Sequence, residues 1–202
     1  MKWSPLLTWR QGYSEQMRAP VDLSHAYRLV NHGPVTIVSA AHDGHENCMA
    51  VAWNMALDFT PPKLAIVLGA DTLTRELAEQ SGELVVQVPP RKLLDALDGI
   101  GNCSGRDVDK WAKFALIRGK ASKVRAPLIE GCTAWLECRI IPEPAIAEKY
   151  DLFILECVAA WADDDAFVKG RWREDLPEPL RAVHHVAGGA YVIDGKHVRA
   201  RG

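Results

Sequence analysis

The 202-residue sequence lacks several features that would assign a protein quickly to a class. No apolar run reaches the roughly 18 residues of a membrane-spanning helix, and the N-terminus has no apolar signal segment. Lysine and arginine (24) nearly balance aspartate and glutamate (26), without a long run of either sign. This balance disfavours binding to nucleic acid or to an anionic membrane. We expect a cytoplasmic protein with small-molecule or protein partners.

The five cysteines form neither a disulfide framework nor a zinc site, because their number is odd and no C-x-x-C pair occurs. Cys132 and Cys138 fall on one face of a predicted strand, but roughly 20 Å apart, which is too far for a disulfide. Reduced cysteines fit a cytosolic protein. His42 and His45 flank a predicted turn without a nearby third ligand, so we predict no metal site.

Several catalytic motifs are missing as well: a Walker A loop, H-E-x-x-H, G-x-S-x-G and an EF-hand loop. The nearest dinucleotide fingerprint, Gly99-x-Gly101-x-x-x-Gly105, is one residue too long and follows a predicted helix. A Rossmann turn must follow a strand. Any nicotinamide nucleotide must therefore bind without a Rossmann domain.

The patterns that are present predict about seven strands and a few short helices. Strands are predicted at residues 35–40, in two runs within 47–68, at 83–88, 132–140 and 150–161, and in a hairpin over 190–198 that turns at Asp194-Gly195. Helices are predicted at residues 25–30, 72–81, 92–100 and 108–114. Without βαβ alternation or internal repeats, this order indicates a mainly β, closed antiparallel barrel with inserted helices.

Length and composition predict a single domain over residues 1–202. Residues 1–23 form an N-terminal arm in this interpretation. The arm carries Trp3, Trp9 and Tyr13, and a solvated tail rarely keeps three large aromatic side chains. We therefore expect the arm to dock on the domain or on a second copy of it.

The segment at 47–68, NCMAVAWNMALDFTPPKLAIVL, carries a family resemblance. Together with T-x-E-L at 74–77, SGRDVDKW at 104–111 and the histidine pair at 184–185, it resembles the flavin reductase and flavoredoxin family of FMN-binding split barrels. The resemblance covers roughly residues 25–195. It implies a six- to seven-stranded antiparallel barrel of Greek-key type and a homodimer.

The resemblance also implies a site for the flavin ring. Backbone groups near Ala52 and Asn54 would meet the polar edge of the ring, Trp53 would form a wall, and Asn47 would reach the rim or the ribityl chain. The alternative for Trp53 is plain barrel core, which is the commoner fate of an aromatic residue in a strand.

A phosphate would lie at the predicted helix start at Thr72, where free N–H groups and the helix dipole attract anions. Thr74 adds a hydroxyl group and Arg75 a charge. The alternative is an ordinary N-cap, and Asp71 would repel a phosphate unless its carboxylate turns away or pairs with Arg75.

A second basic group would come from the loop that begins at Ser104 and leads into a helix. Ser104 is predicted to contact the cofactor, and Lys110 to reach the phosphate or the ring edge, where a cation stabilises reduced flavin. The alternative is a solvated helix face. In the family interpretation His185 borders the flavin or nicotinamide pocket and Tyr191 covers the ring, so Lys110 and His185 are the predicted catalytic residues. A loop histidine pair is the alternative.

The resemblance implies an oxidoreductase that takes hydride from NAD(P)H and reduces flavin or a downstream acceptor. Two alternatives remain open: an FMN-bound electron carrier with a protein partner, and a ligand-binding module without redox chemistry. The sequence distinguishes neither NADH from NADPH nor bound FMN from FMN used as a substrate.

Overall fold

A computed structural model describes residues 33–168, 170–198 and 200. Seven of its strands form one antiparallel sheet in the order β2-β1-β5-β8-β9-β4-β3. In chain order the elements are β1 (Thr36–His42), β2 (His45–Val51), β3 (Asn54–Phe59), β4 (Pro62–Val67), α1 (Leu73–Ser81), β5 (Glu83–Val88), α2 (Leu94–Gly101), α3 (Lys110–Lys113), β6 (Arg118–Gly119), β7 (Leu128–Ile129), β8 (Ala134–Ile141), α4 (Pro144–Tyr150), β9 (Leu152–Ala162), β10 (Phe167–Val168), β11 (Arg171–Trp172), β12 (Val183–Ala187) and β13 (Ala190–Ile193). The predicted mainly β class with short inserted helices is confirmed.

Local capping groups set the ends of α1 and the start of α3. The Thr72 hydroxyl accepts a hydrogen bond from the Arg75 amide, and Gly82 ends α1 in a left-handed conformation with φ 71°. The Asp109 carboxylate accepts from the amides of Trp111 and Ala112 at the start of α3. Because these signals are local, the predicted helix at 72–81 and strand at 83–88 agree with α1 and β5 within one residue.

Apolar side chains cover both faces of the sheet. In β1, Val38 belongs to a cluster that packs with Leu77 of α1, whereas its neighbour Ile37 packs on the opposite face with Ile100 of α2 and Trp111 of α3. Alternate residues of a strand point to opposite faces, so β1 is buried on both. The two clusters fix α1 on one side of the sheet and α2 with α3 on the other.

The predicted hairpin over residues 190–198 is wrong. The structure pairs β13 with β12 across Gly188-Gly189, and residues 194–198 form no strand. Both glycines have positive φ values, 58° and 77°, as a two-residue hairpin turn of type I′ requires. The Asp194-Gly195 signal is equally good locally, but the partner strand lies before the glycine pair.

Other predicted elements differ less. The run that begins at Asn47 is interrupted at Ala52 and Trp53, so that β2 and β3 lie at opposite edges of the sheet. The helix predicted at 108–114 is reduced to α3, and α4 and the two-residue strands were not predicted. The predicted arm at 1–23 and helix at 25–30 lie outside the described residues. No helix in the described part of the chain is both long and apolar enough to cross a membrane.

A buried carboxylate fastens the 120–126 segment to the sheet. Glu137 of β8 is fully buried, and its oxygens accept bonds from the Ser122 amide and hydroxyl, the Val124 amide and Trp161 Nε1, the last at 2.7 Å. Burial alone would raise the pKa of this carboxyl, but the surrounding donors outweigh it and hold the pKa below its usual range. The ionised form therefore stabilises the fold.

We predict that Glu137→Gln lowers the free energy of unfolding at pH 7 by about 1–3 kcal/mol, because the donors lose a charged acceptor. A group with a lowered pKa contributes fully above its unfolded pKa of about 4 and loses that contribution as pH falls through the folded value. The difference between wild type and variant, measured by urea unfolding, should shrink below pH 4. Glu148→Gln on the exposed face of α4 is the matched control, and an equal loss there would contradict the role of Glu137.

Candidate functional site

A cleft of about 370 Å³ lies between the first turn of α1, strand β2 and the connection that follows α2. We call it the α1–β2 cleft. It is lined by Asn47, Met49, Ala50, Asp71, Thr72, Leu73, Thr74, Ile100, Gly101, Asn102, Cys103, Ser104, Gly105 and Lys110. A larger groove of about 900 Å³ shares Asn47, Leu73, Gly105 and Lys110 with it. The volume of the cleft is in the range of small-molecule sites.

Asn47 joins two walls of the cleft. Its side chain is buried, and Nδ2 donates to the Thr74 hydroxyl of α1 at 3.0 Å. A Cβ atom at Gly105 would lie 2.2 Å from Asn47 Oδ1, so the 104–105 backbone packs directly on the asparagine. Only glycine permits this approach. The sequence predicts Asn47 and Thr74 as separate ligands, whereas the structure pairs them.

The Lys110 side chain connects β2 and α2 beneath the cleft. Its ammonium is buried and donates to the carbonyls of Cys48 in β2, at 3.0 Å, and Ile100 in α2, at 2.9 Å. Burial lowers the pKa of this lysine below its ordinary value, because charge is less stable away from water. The alternative of a solvated helix face is therefore wrong for Lys110, although the residue also lines the cleft.

The first turn of α1 borders the cleft with Asp71, Thr72, Leu73 and Thr74. The Thr72 hydroxyl donates to the Gly69 carbonyl at 2.8 Å in addition to its capping role. Because the first amides of a helix have no acceptor within the helix, this turn offers donors to a ligand.

Arg75 serves the fold rather than the cleft. Its guanidinium contacts Asp151, pairs with Glu79 at 3.1 Å, and donates to the carbonyls of Leu68 and Ala147. These bonds tie α1 to the junction of α4 and β9. Arg75 therefore pairs with Asp151 and Glu79 instead of Asp71, and it does not line the cleft.

Ser104 lies on the exposed rim of the cleft. Its hydroxyl accepts from the Arg106 amide at 3.1 Å, and its carbonyl accepts from the amides of Asp107 and Val108. The serine thus shapes the turn that brings Gly105 onto Asn47.

The predicted ring contacts lie at the far end of β2, beyond the cleft-lining residues. Trp53 is 52% exposed, and its carbonyl accepts from the Val67 amide. The Asn54 side chain donates to the carbonyls of Pro34 and Val51, so it fixes the β2–β3 connection. Ala52 packs with the cluster under α2.

The histidine pair is divided between two environments. His184 Nε2 lies 2.6 Å from the Asp194 carboxylate, in a separate cavity of about 300 Å³. His185 packs edge-to-face on Tyr191, whose hydroxyl donates to Asp98 of α2 at 2.9 Å. Burial and this bond raise the pKa of Tyr191 to about 12. Neither His185 nor Tyr191 lines the α1–β2 cleft.

The glycines in and after α2 pack against the site, a role that was not predicted from the sequence. Besides Gly105, a Cβ atom at Gly99 would overlap the Phe114 ring at 2.3 Å, and one at Gly101 would meet Ala50 at 3.3 Å. The Gly-x-Gly-x-x-x-Gly spacing, which fails as a dinucleotide fingerprint, therefore marks close packing around the cleft. Within the described residues no cluster of three or more His, Cys, Asp or Glu could hold a metal ion.

Comparison with known proteins decides the family. The family model "Flavin reductase like domain" matches residues 28–178, about three quarters of the chain. The chain belongs to the flavin reductase-like family. One relative is the uncharacterized protein YddH of Escherichia coli K12, which is 38% identical over 184 residues. The alignment covers 90% of this chain and 97% of YddH.

Solved structures agree with this assignment. An FMN-binding domain of a flavin reductases-like enzyme from Shewanella baltica is 43% identical, with a TM-score of 0.82 over 91% of this chain and 97% of its own. Flavoredoxin of Desulfovibrio vulgaris has a TM-score of 0.73 at 21% identity, over 84% of this chain and 90% of its own. This second likeness concerns the fold alone. The predicted resemblance and the split-barrel fold of this flavin reductase-like chain are confirmed.

Proposed function

We propose that this chain binds FMN, with the phosphate in the α1–β2 cleft, and acts as an oxidoreductase that accepts hydride from NAD(P)H. The observation that carries the proposal is the convergence of three elements on one cleft: the first turn of α1, the Asn47–Thr74 pair and the buried Lys110. Family membership and the FMN-binding description of the Shewanella baltica relative support the choice of cofactor.

The donors around the cleft fit a phosphate dianion. The amides of Leu73 and Thr74 belong to the first turn of α1, where the helix dipole also favours negative charge. A lysine ammonium has three donors, and Lys110 gives two of them to the carbonyls of Cys48 and Ile100. The third can serve an anion. Asp71 lies on the same rim and opposes the binding, so its carboxylate must face solvent when phosphate is held.

The ring contacts remain those predicted from the sequence. Beyond the cleft, β2 leads directly into Ala52, Trp53 and Asn54. The side-chain amide of Asn54 already donates to the carbonyls of Pro34 and Val51. We therefore propose that backbone groups of this stretch bond the polar edge of the ring and that the Trp53 side chain packs beside the ring. The half-exposed indole leaves an apolar surface for that purpose.

When bound, FMN would supply the redox chemistry, which is the acceptance of hydride and the transfer of electrons. The protein's part is to orient the cofactor and to hold positive charge beside it, because hydride transfer depends mainly on distance and on stabilisation of the product charge. Lys110 is proposed for the charge. His185 is proposed to border the nicotinamide, which would approach across α2 and Tyr191.

A homodimer is proposed on the exposed face of β3. Met55, Leu57 and Phe59 of this edge strand are 59%, 48% and 94% exposed. A group of exposed apolar side chains marks an association surface, and two-fold symmetry is the common arrangement of identical chains.

The proposed cradle predicts that the double variant Thr74→Ala with Lys110→Ala weakens FMN binding by about 2–4 kcal/mol, because the phosphate loses two donors, the Lys110 ammonium and the hydroxyl proton of Thr74, whose oxygen accepts from Asn47. Fluorescence titration of the purified apoprotein measures the affinity. Lys113→Ala, which removes the same charge from the exposed side of α3, should bind FMN like wild type. Wild-type affinity in a folded double variant, checked by circular dichroism, would contradict the cradle.

The proposed reaction predicts that NADH or NADPH, mixed without oxygen with the FMN-loaded protein, bleaches the flavin absorbance near ~450 nm. Stopped-flow absorbance gives the rate and the preferred nucleotide. A flavin that binds tightly but stays oxidised with both nucleotides would exclude the reductase and favour an electron carrier. A protein that takes up no FMN would exclude both.

A further inference from the structure

Two cysteines lie directly opposite each other on neighbouring strands of the sheet. Cys138 of β8 pairs in register with Cys157 of β9. Opposed residues of an antiparallel pair have Cβ atoms about 4.5–5.5 Å apart, and a disulfide needs about 3.5–4.5 Å. A small local movement therefore suffices to join the two sulfurs. The spacing of cysteines along the sequence does not reveal a pair that forms across two strands.

A β-bulge creates this opposition. Glu137 pairs with Ala159, whereas Cys138 pairs with Cys157, so β9 has one extra residue, Val158, at this point. Without the extra residue, Cys138 would face Val158. Bulges re-aim side chains locally, and here the bulge brings two thiols together in the middle of the sheet.

The two thiols differ in access and in acidity. Cys138 is fully buried among the residues that pack with α1, while Cys157 is partly exposed at the edge of the same cluster. Each thiol donates to a carbonyl of its own strand, Cys138 Sγ to Leu136 at 3.5 Å and Cys157 Sγ to Ala159 at 3.3 Å. The interaction between the two neighbouring sulfurs lowers the pKa of Cys157 to about 7 and raises that of Cys138. The sulfur of the accessible Cys157 is therefore the better nucleophile, and the sulfur of the buried Cys138 lies next to it.

We propose that Cys157 and Cys138 form an oxidation site that hydrogen peroxide converts to a reversible disulfide, with Cys157 reacting first and Cys138 resolving the product. This inference does not depend on the proposed flavin function.

The chemistry balances in two steps. The Cys157 thiolate attacks one peroxide oxygen, so that an S–O bond forms, the O–O bond breaks, and the released hydroxide takes a proton to become water. Peroxide is reduced by two electrons and the sulfur is oxidised to a sulfenic acid. The Cys138 sulfur then attacks Cys157, forming the S–S bond, and its proton leaves with the hydroxyl group as a second water. A thiol reductant restores both cysteines.

The other three cysteines provide internal controls. Burial raises the pKa of Cys48 to about 12 and raises that of Cys132 further, and both side chains are fully buried. Cys103 is partly exposed, but it lies in the connection that lines the α1–β2 cleft. It is therefore outside the strand pair that holds Cys138 and Cys157. Oxidation by a slight excess of peroxide should therefore select Cys157.

The test is a peptide map of the purified full-length protein after peroxide treatment and alkylation of the remaining thiols. We expect a linked peptide pair containing Cys138 and Cys157, about 2 Da lighter than the two reduced peptides together. Dithiothreitol should restore both. Cys103→Ser should form the same link, and Cys157→Ser should form none.

In Cys138→Ala the resolving thiol is missing, so Cys157 should accumulate as a sulfenic acid that dimedone labels. If this buried substitution prevents folding, the wild-type map alone decides. A wild-type protein in which Cys157 stays reduced, advances to sulfinic acid without a link, or bonds to a different cysteine would overturn the proposal.

Discussion

The buried ammonium of Lys110 is the contact on which the candidate site depends. It joins the Cys48 carbonyl of β2 to the Ile100 carbonyl of α2, and so holds the chain between α2 and α3 across the face of the sheet. Asp109 fixes the start of α3, and Trp111 is buried with α2 directly after the lysine. A buried charge is costly unless it is paired or hydrogen-bonded, and these two carbonyls offset part of that cost. Lys110 thus holds the far end of the connection that follows α2, in which Gly105 packs on Asn47.

Helix α1, which forms the opposite wall of the cleft, is held in place by contacts outside the cleft. Arg75 binds α1 to Asp151 and to the carbonyls of Leu68 and Ala147, while Leu77 packs α1 on the sheet. With both walls anchored, the Asn47–Thr74 hydrogen bond closes a gap whose width is already set. Such preorganisation favours ligand binding, because little order remains to be imposed when the ligand arrives.

Local signals explain what could be predicted from the sequence. Thr72 and Gly82 define α1 by themselves, a short apolar run defines β5, and apolar alternation defines β8. Arg75 and Lys110 could not be distinguished in the same way, since each is a basic residue in the first turn of a predicted helix. Their roles follow from partners 76 and 62 positions away along the chain. The Cys138–Cys157 pair likewise depends on a β-bulge that has no recognisable sequence pattern. Asp194-Gly195 and Gly188-Gly189 are equally good turn sequences, and the turn forms at Gly188-Gly189 because β13 pairs with β12.

A crystal structure of the protein with FMN measures the central claim directly, because it locates the phosphate relative to the two anchored walls. We expect the phosphate within hydrogen-bond distance of the Leu73 and Thr74 amides and of Lys110 Nζ, with the flavin ring beside Trp53. A phosphate bound elsewhere, for example in the cavity beside His184, with the α1–β2 cleft left to solvent, would contradict it.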